Sequence, residues 1–240
     1  VKRMRRYKNE QYNHLANVQH AFRAEAKADS LDITIYGDIG ESWWSDSTSA
    51  VDIEKTLKAT SANVIHINLN SPGGDVFDGI AIYNQLKNHS AKVIITVDGL
   101  AASAASIIAM AADELIMNTG SMLMIHEAST WTWGTKLDIR KTLNALEGID
   151  KSLADIYMTR YQGERSEIET MIANETWFTA NEAVEFGLAH KVNEHVENNE
   201  VIDPEEFKNN VLQKFRNKNK QNEPAVASAN QNILNKFKRA

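Results

Sequence analysis

The chemistry this chain offers gathers in two turns and one histidine. In Val93 to Ser106, VIITVDGLAASAAS, β-branched residues stop at Asp98-Gly99 and give way to small residues that lead into an apolar helix. A serine placed where a strand turns into a helix projects its hydroxyl from the turn, beside backbone N–H groups that helical hydrogen bonds do not yet use. Ser103 holds that place. Small residues at such a junction also serve close packing alone. A nucleophilic serine therefore needs three companions: a base, a group that orients the base, and donors aimed at an oxyanion.

The donors are offered by Asn70-Ser71-Pro72-Gly73-Gly74-Asp75, which follows the strand Val64 to Leu69 and precedes the helix Val76 to Lys87. Paired glycines let the backbone approach a ligand and turn N–H groups towards it, although the same sequence also makes an ordinary turn. A base is offered by His126, at the end of the strand Leu123-Met124-Ile125, since imidazole is matched to a serine near neutral pH. His14, His20, His66, His89, His190 and His195 lack such placement, and none shows metal-ligand spacing. Ser106 lies one turn further into the helix, where its hydroxyl suits a backbone carbonyl better than a substrate.

These residues need a frame. Leu31 to Asp38 alternates as a strand, Gly40 to Ser45 reads as a loop, and Ser49 to Ala59 has helical spacing ahead of the strand at 64–69. That is the β-α-β rhythm of a parallel sheet, in which turns after successive strands share the carboxyl edge. Glu114 to Met117 reads as a further strand and Asn118 to Met122 as a turn. Asp138 to Tyr161 reads as a long helix striped with Leu143, Leu146, Ile149, Leu153 and Ile156, ended by Gly163. Ser166 with Glu169, and Thr179 with Glu182, have the spacing of capping boxes. Residues 1–30 are polar, and Tyr12, Leu15, Val18 and Phe22 have the spacing of an amphipathic helix. In 194–240, Pro204 to Phe215 reads as a short charged helix and Asn217 to Asn230 as disordered. One catalytic domain is thus expected at 31–193.

Composition narrows the classes. With 240 residues, 42% of them hydrophobic, the chain suits one α/β domain. The absence of cysteine excludes thiol nucleophiles and cysteine–zinc sites. A net charge of -6 argues against nucleic acid as the main partner. No apolar run approaches a membrane span and no secretory signal opens the chain, so a soluble, cytoplasmic protein is expected. There is no GxxxxGK[ST] motif, so any use of ATP falls to a partner; neither cofactor nor metal is expected.

Four ordered motifs carry a resemblance: Asn70-Ser71-Pro72-Gly73-Gly74, Gly99-Leu100-Ala101-Ala102-Ser103, Met124-Ile125-His126, and Ala180 to Leu188, ANEAVEFGL. In order and spacing they resemble the Clp peptidases, the ATP-dependent caseinolytic serine proteases, from about Ile33 to Val192. Trp43-Trp44, Ala104-Ala105-Ser106 and Glu175-Thr176-Trp177 are similar to the phage and prophage head-maturation branch. The resemblance implies a crotonase-like α/β fold with a parallel sheet and a protruding handle of one helix and one strand. The helix is that at 138–161, and the strand falls in Glu127 to Thr135, where Trp131 and Trp133 would meet substrate, a neighbouring subunit or only their own packing.

It further implies a serine endopeptidase acting through an acyl-enzyme, with Ser103 as nucleophile, His126 as base, and the N–H groups of Gly74 and Ala104 as oxyanion hole. The family's third residue is an aspartate two positions before an aromatic; here Glu175 stands there, ahead of Trp177 and beside Asn174, which is the other candidate. Implied partners are a protein or peptide substrate, further copies in rings of six or seven, single or stacked in pairs, and an unfoldase ATPase. The setting would be a phage-infected or lysogenic bacterial host. Rival readings are an acyl-CoA hydratase or isomerase of the same fold, which needs neither Ser103 nor His126, and a non-catalytic capsid-assembly factor.

Overall fold

Alternation of β-branched and polar residues builds the sheet at the centre of the molecule. The structure, a computed structural model, describes residues 18–41 and 46–193. Strands β1 (Ala21–Ala26), β2 (Ser30–Tyr36), β3 (Val64–Ser71), β4 (Lys92–Ala102), β5 (Glu114–Asn118) and β8 (Lys191–Asn193) lie side by side in that order. β6 (Met122–Ile125) pairs with β4, and β7 (Thr176–Thr179) pairs with β6. All pairings are parallel except β1 with β2 and β6 with β7.

Every second residue of β2, β3 and β4 points into the core: Ile33 and Ile35, Ile67 and Leu69, Ile95 and Val97 are all buried. Helices α1 (Ala50–Lys58), α2 (Val76–Lys87) and α3 (Ala104–Ala109) contribute Ile53, Ile82, Leu86 and Ile108 to the same core. α1 and α2 are started by side chains. Ser49 and Asp52 form a reciprocal capping box, and the Asp75 carboxylate accepts from the N–H groups of Phe77 and Asp78.

The long helix α4 (Lys136–Met158) is opened by a Thr135/Asp138 capping box. Its last turns bury Leu153, Ala154, Ile156 and Tyr157, whereas Leu137, Ile139 and Leu143 are exposed. It is therefore anchored at one end only, as expected of a handle. α5 (Arg165–Ala173), β7 and α6 (Ala180–Glu185) follow, and the Thr179/Glu182 capping box is present.

Four local expectations need correction. Phe22 lies on strand β1, because six residues there find partners along the edge of β2; the remainder of the helix expected around Tyr12 and Leu15 falls outside the described residues, as do Trp43-Trp44 and the C-terminal tail. β4 does not stop at Asp98-Gly99 but runs on to Ala102. Its register against β3 shifts between Leu69 and Ser71, and the Asn70 side-chain oxygen accepts the displaced Leu100 N–H at 3.1 Å. Asp98 is held by side chains from β2 and β5, accepting from Tyr36 Oη at 2.5 Å and Asn118 Nδ2 at 2.8 Å.

Residues 127–135 form no strand. They are tied instead to α4 by the Ala128 N–H on Asp150 Oδ1 at 2.8 Å and by Thr132 against Thr142 at 3.1 Å. Finally, α5 begins after Glu164, with Ser166 inside it, because Glu167 reaches back to accept from the Glu164 N–H at 2.9 Å and from Tyr161 Oη at 2.8 Å.

Candidate active site

β3 and β4 are parallel neighbours, so the turns that leave their carboxyl ends meet. Gly73 has φ 89° and sits flush on the nucleophile turn: a Cβ there would lie 2.5 Å from Ala102 O, 2.6 Å from Ser103 Cβ and 2.8 Å from Ala104 N. Gly74 is fixed by bridging to Ile39, through the Ile39 N–H on Gly73 O at 3.0 Å and the Asp75 N–H on Ile39 O at 3.0 Å. A Cβ on Gly74 would overlap Ile39 O. Only glycine serves at either place.

Ser103 itself adopts φ 55° and ψ -126°, a conformation costly to a residue with a Cβ. Hydrogen bonds on both of its backbone groups hold it there. Its N–H donates to Met124 O at 3.0 Å, and its carbonyl accepts the Ser106 N–H at 2.9 Å. Its hydroxyl makes no cap to α3 and turns to His126, with Nε2 to Oγ at 2.8 Å. The N–H groups of Gly74 and Ala104 flank this pair and donate to no acceptor among the described residues.

His126 directly follows β6, whose pairing with β7 runs from Met122 opposite Thr179 to Ile125 opposite Thr176. Glu175 directly precedes β7, so His126 and Glu175 leave the same end of this strand pair. Glu175 has φ 53°, and its Oε1 accepts from Trp177 Nε1 at 3.2 Å. That indole packs on Met124 and Ala102, so the β6–β7 pair and its flanks bring His126, Glu175 and Trp177 together. Asn174 is exposed at the end of α5, with its N–H on Thr170 O.

Ser103 and His126 open into a cleft of about 750 Å³. Ile107, Leu146, Ile149 and Leu153 make its apolar floor, and Phe77 and Trp131 stand at its rim. Trp133, 86% exposed, takes no part in it. Burial pushes the Asp150 carboxyl up from its ordinary value, and Glu127 adds to this, against the Ala128 N–H. A second cavity of about 550 Å³ lies elsewhere, around Arg160 and His190.

The sequence placed Ser103, His126, Gly74 and Ala104 at one edge of the sheet, and the structure brings them together. Two features escaped it. Gly73 was read as one of two glycines that bring the backbone to a ligand, not as the residue packed against the Ser103 turn, and the Trp177 indole on Glu175 had no signal beyond the spacing of two.

A serine hydroxyl on an imidazole, beside two amide N–H groups at the carboxyl edge of a parallel sheet, is an arrangement for acyl transfer of the serine-hydrolase class. Residues 30–196 match the Clp protease family. The chain belongs to that family. The proteolytic subunit 1 of the ATP-dependent Clp protease from Chlamydia abortus is 34% identical over 124 residues, which cover 50% of this chain and 65% of that protein. For its counterpart in Protochlamydia amoebophila the figures are 36% over 128 residues, 52% and 62%. Subunit 3 from Rhodococcus jostii is 30% identical over 130 residues, covering 53% of this chain and 64% of that protein. The matches thus span a little under two thirds of these relatives. A solved ClpP1 mutant from Listeria monocytogenes superposes with a TM-score of 0.56 at 23% identity, covering 69% of this chain and 92% of that one. The fold is accordingly of the ClpP type, α/β and crotonase-like, as the motifs implied.

Proposed function

We propose that this chain is a serine endopeptidase that cleaves peptide bonds through an acyl-enzyme on Ser103. The observation that carries the reading is the 2.8 Å contact between Ser103 Oγ and His126 Nε2 on a strained strand-to-helix turn. His126 takes the serine proton as Oγ attacks the scissile carbonyl. The oxyanion forms between the N–H groups of Gly74 and Ala104, and His126 returns the proton to the leaving amine. Water then repeats the sequence on the ester. Glu175 orients and stabilises the imidazolium, a role supported by its place directly before β7, at the end of the strand pair that His126 leaves, and by the Trp177 anchor. An acyl-CoA hydratase of this fold would have no use for the serine–histidine pair.

The natural substrate is a protein chain laid along the cleft, delivered by an unfoldase ATPase where it is folded. Rings of six or seven subunits, alone or stacked in pairs, are supported by Leu137, Ile139 and Leu143 on the unanchored end of α4, at 61%, 46% and 54% exposure. A role in phage or prophage capsid maturation, processing scaffold protein in the bacterial cytoplasm, rests on the Trp43-Trp44, Ala104-Ala105-Ser106 and Glu175-Thr176-Trp177 segments. Light scattering that returns an active monomer contradicts the ring.

Fluorophosphonate labelling followed by peptide mapping tests the chemistry. Wild type is modified on Ser103, and Ser103→Ala is not modified while its melting temperature is kept. Label found on Ser106, or label that survives in Ser103→Ala, refutes the assignment.

A further inference from the structure

The proposed chemistry has no use for Tyr157, although this phenol is buried in the last turns of α4 directly beneath the nucleophile. Its Oη lies 2.8 Å from Ser106 Oγ, and Ser106 Oγ lies 2.6 Å from Ser103 O. A carbonyl only accepts, so the single Ser106 hydroxyl proton goes to Ser103 O. Tyr157 must then donate to Ser106. Burial pushes the Tyr157 phenol well up from its ordinary value, so it keeps that proton throughout the working pH range. The order of the chain is fixed: Tyr157 to Ser106 to the Ser103 carbonyl.

The Ser103 carbonyl and the Ala104 N–H belong to one peptide unit. That unit is planar and trans, so whatever holds its oxygen also aims its N–H in the opposite direction. We infer that Ser106 and Tyr157 are positioning residues for the oxyanion hole, holding the Ser103–Ala104 peptide so that the Ala104 N–H faces the cleft. The inference rests on the assignment of Ser103 as nucleophile. The Ser103 turn, at φ 55° and ψ -126°, lies outside the favoured regions and has neighbouring wells into which the peptide can rotate. The backbone N–H of Ser106, at 2.9 Å, and that of Ile107, at 3.4 Å, also reach this carbonyl, but both come from α3 and move with the turn. Tyr157 comes from a different helix and refers the peptide to the rest of the fold.

A donor that meets the oxyanion acts on the transition state and not on bound substrate, so its misalignment appears in kcat and leaves KM alone. The pair also allows positioning to be separated from stability. Ser106→Ala strands the buried Tyr157 hydroxyl without an acceptor, whereas Ser106→Ala with Tyr157→Phe removes both polar side-chain groups from a buried site. The single variant melts a few degrees below wild type and the double variant recovers most of that loss. Labelling by a fluorophosphonate does not recover: it is slowed about tenfold in both, the worth of roughly one hydrogen bond in the transition state. Tyr157→Phe alone, which leaves the Ser106 hydroxyl on the carbonyl, slows labelling only about threefold.

The experiment measures labelling rate, peptide kcat and KM, and melting temperature on wild type and the three variants. A double variant with near-native melting, slow labelling, reduced kcat and unchanged KM supports the inference. A double variant that labels at the wild-type rate overturns the positioning role alone. A wild type that does not label at all overturns the nucleophile assignment, and the positioning role with it.

Discussion

Replacing Gly73 by alanine tests the close approach of the two turns. The new Cβ would begin 2.6 Å from Ser103 Cβ, 2.5 Å from Ala102 O and 2.8 Å from Ala104 N. Ordinary carbon contacts lie near 3.5 Å, so about 1 Å of separation has to be found. If the nucleophile turn retreats, the 2.8 Å contact from Ser103 Oγ to His126 Nε2 is carried out of hydrogen-bonding range. If Gly73 retreats instead, it takes with it the N–H of Gly74, since both are bound to the Ile39 bridge. Either way a reacting group is misplaced by about 1 Å, which lowers the rate roughly 100-fold. A left-handed backbone at φ 89° adds about 1–2 kcal/mol of strain.

Gly120→Ala isolates that strain, because Gly120 has φ 82° with nothing within 4 Å of its added Cβ. Fluorophosphonate labelling by intact mass, beside thermal melts, should show both variants destabilised, Gly73→Ala the more, and only Gly73→Ala slow to label. Equal labelling of the two would refute the argument from close approach.

Glu175→Ala should lower kcat by about two to four orders of magnitude with KM little changed, while Asn174→Ala does little; steady-state peptide cleavage reads both, and a large loss confined to Asn174→Ala moves the third role to the amide. The pH dependence of stability should carry the mark of His190, whose pKa is lowered first by burial and then by Arg160, against the opposite pull of Glu114 and Asp113. A lowered pKa means that the unfolded chain binds this proton more readily. Stability from His190 is therefore fully present above the ordinary histidine value of about 6.5 and lost as pH falls through the lower folded value. Protonation would also set a second donor against the Leu115 N–H, now 2.7 Å from Nδ1. Melting temperatures should fall below about pH 6.5, and less steeply in His190→Gln; parallel curves for the two proteins would contradict this.

The β-α-β frame and the edge on which the site sits were legible because both follow from local pattern: alternation in β2, a β-branched run in β4, glycines at the turn. What escaped depended on partners distant in sequence. Asp98-Gly99 reads as a break, since no nearby residue shows that Asn70, Tyr36 and Asn118 will hold a strand through it. Val18 and Phe22 have helical spacing, and only the open edge of β2 makes 21–26 a strand. Ser106 was read as bonded to a backbone carbonyl, and Ser103 O is that carbonyl. Its second partner, Tyr157, lies 51 residues away and left no local trace.

The ladder from β4 through β6 to β7 also determines when the protein acquires its chemistry. β6 lays His126 beside the serine by pairing with the far end of β4, yet its other edge stays open until Thr176–Thr179 arrives. During synthesis the nucleophile and imidazole therefore emerge well before Glu175 and the strand that carries it, and long-range pairings of this kind close late in folding. On the proposed chemistry, a half-made chain, still surrounded by other unfolded polypeptide, would hold Ser103 and His126 without Glu175 and the strand that follows it.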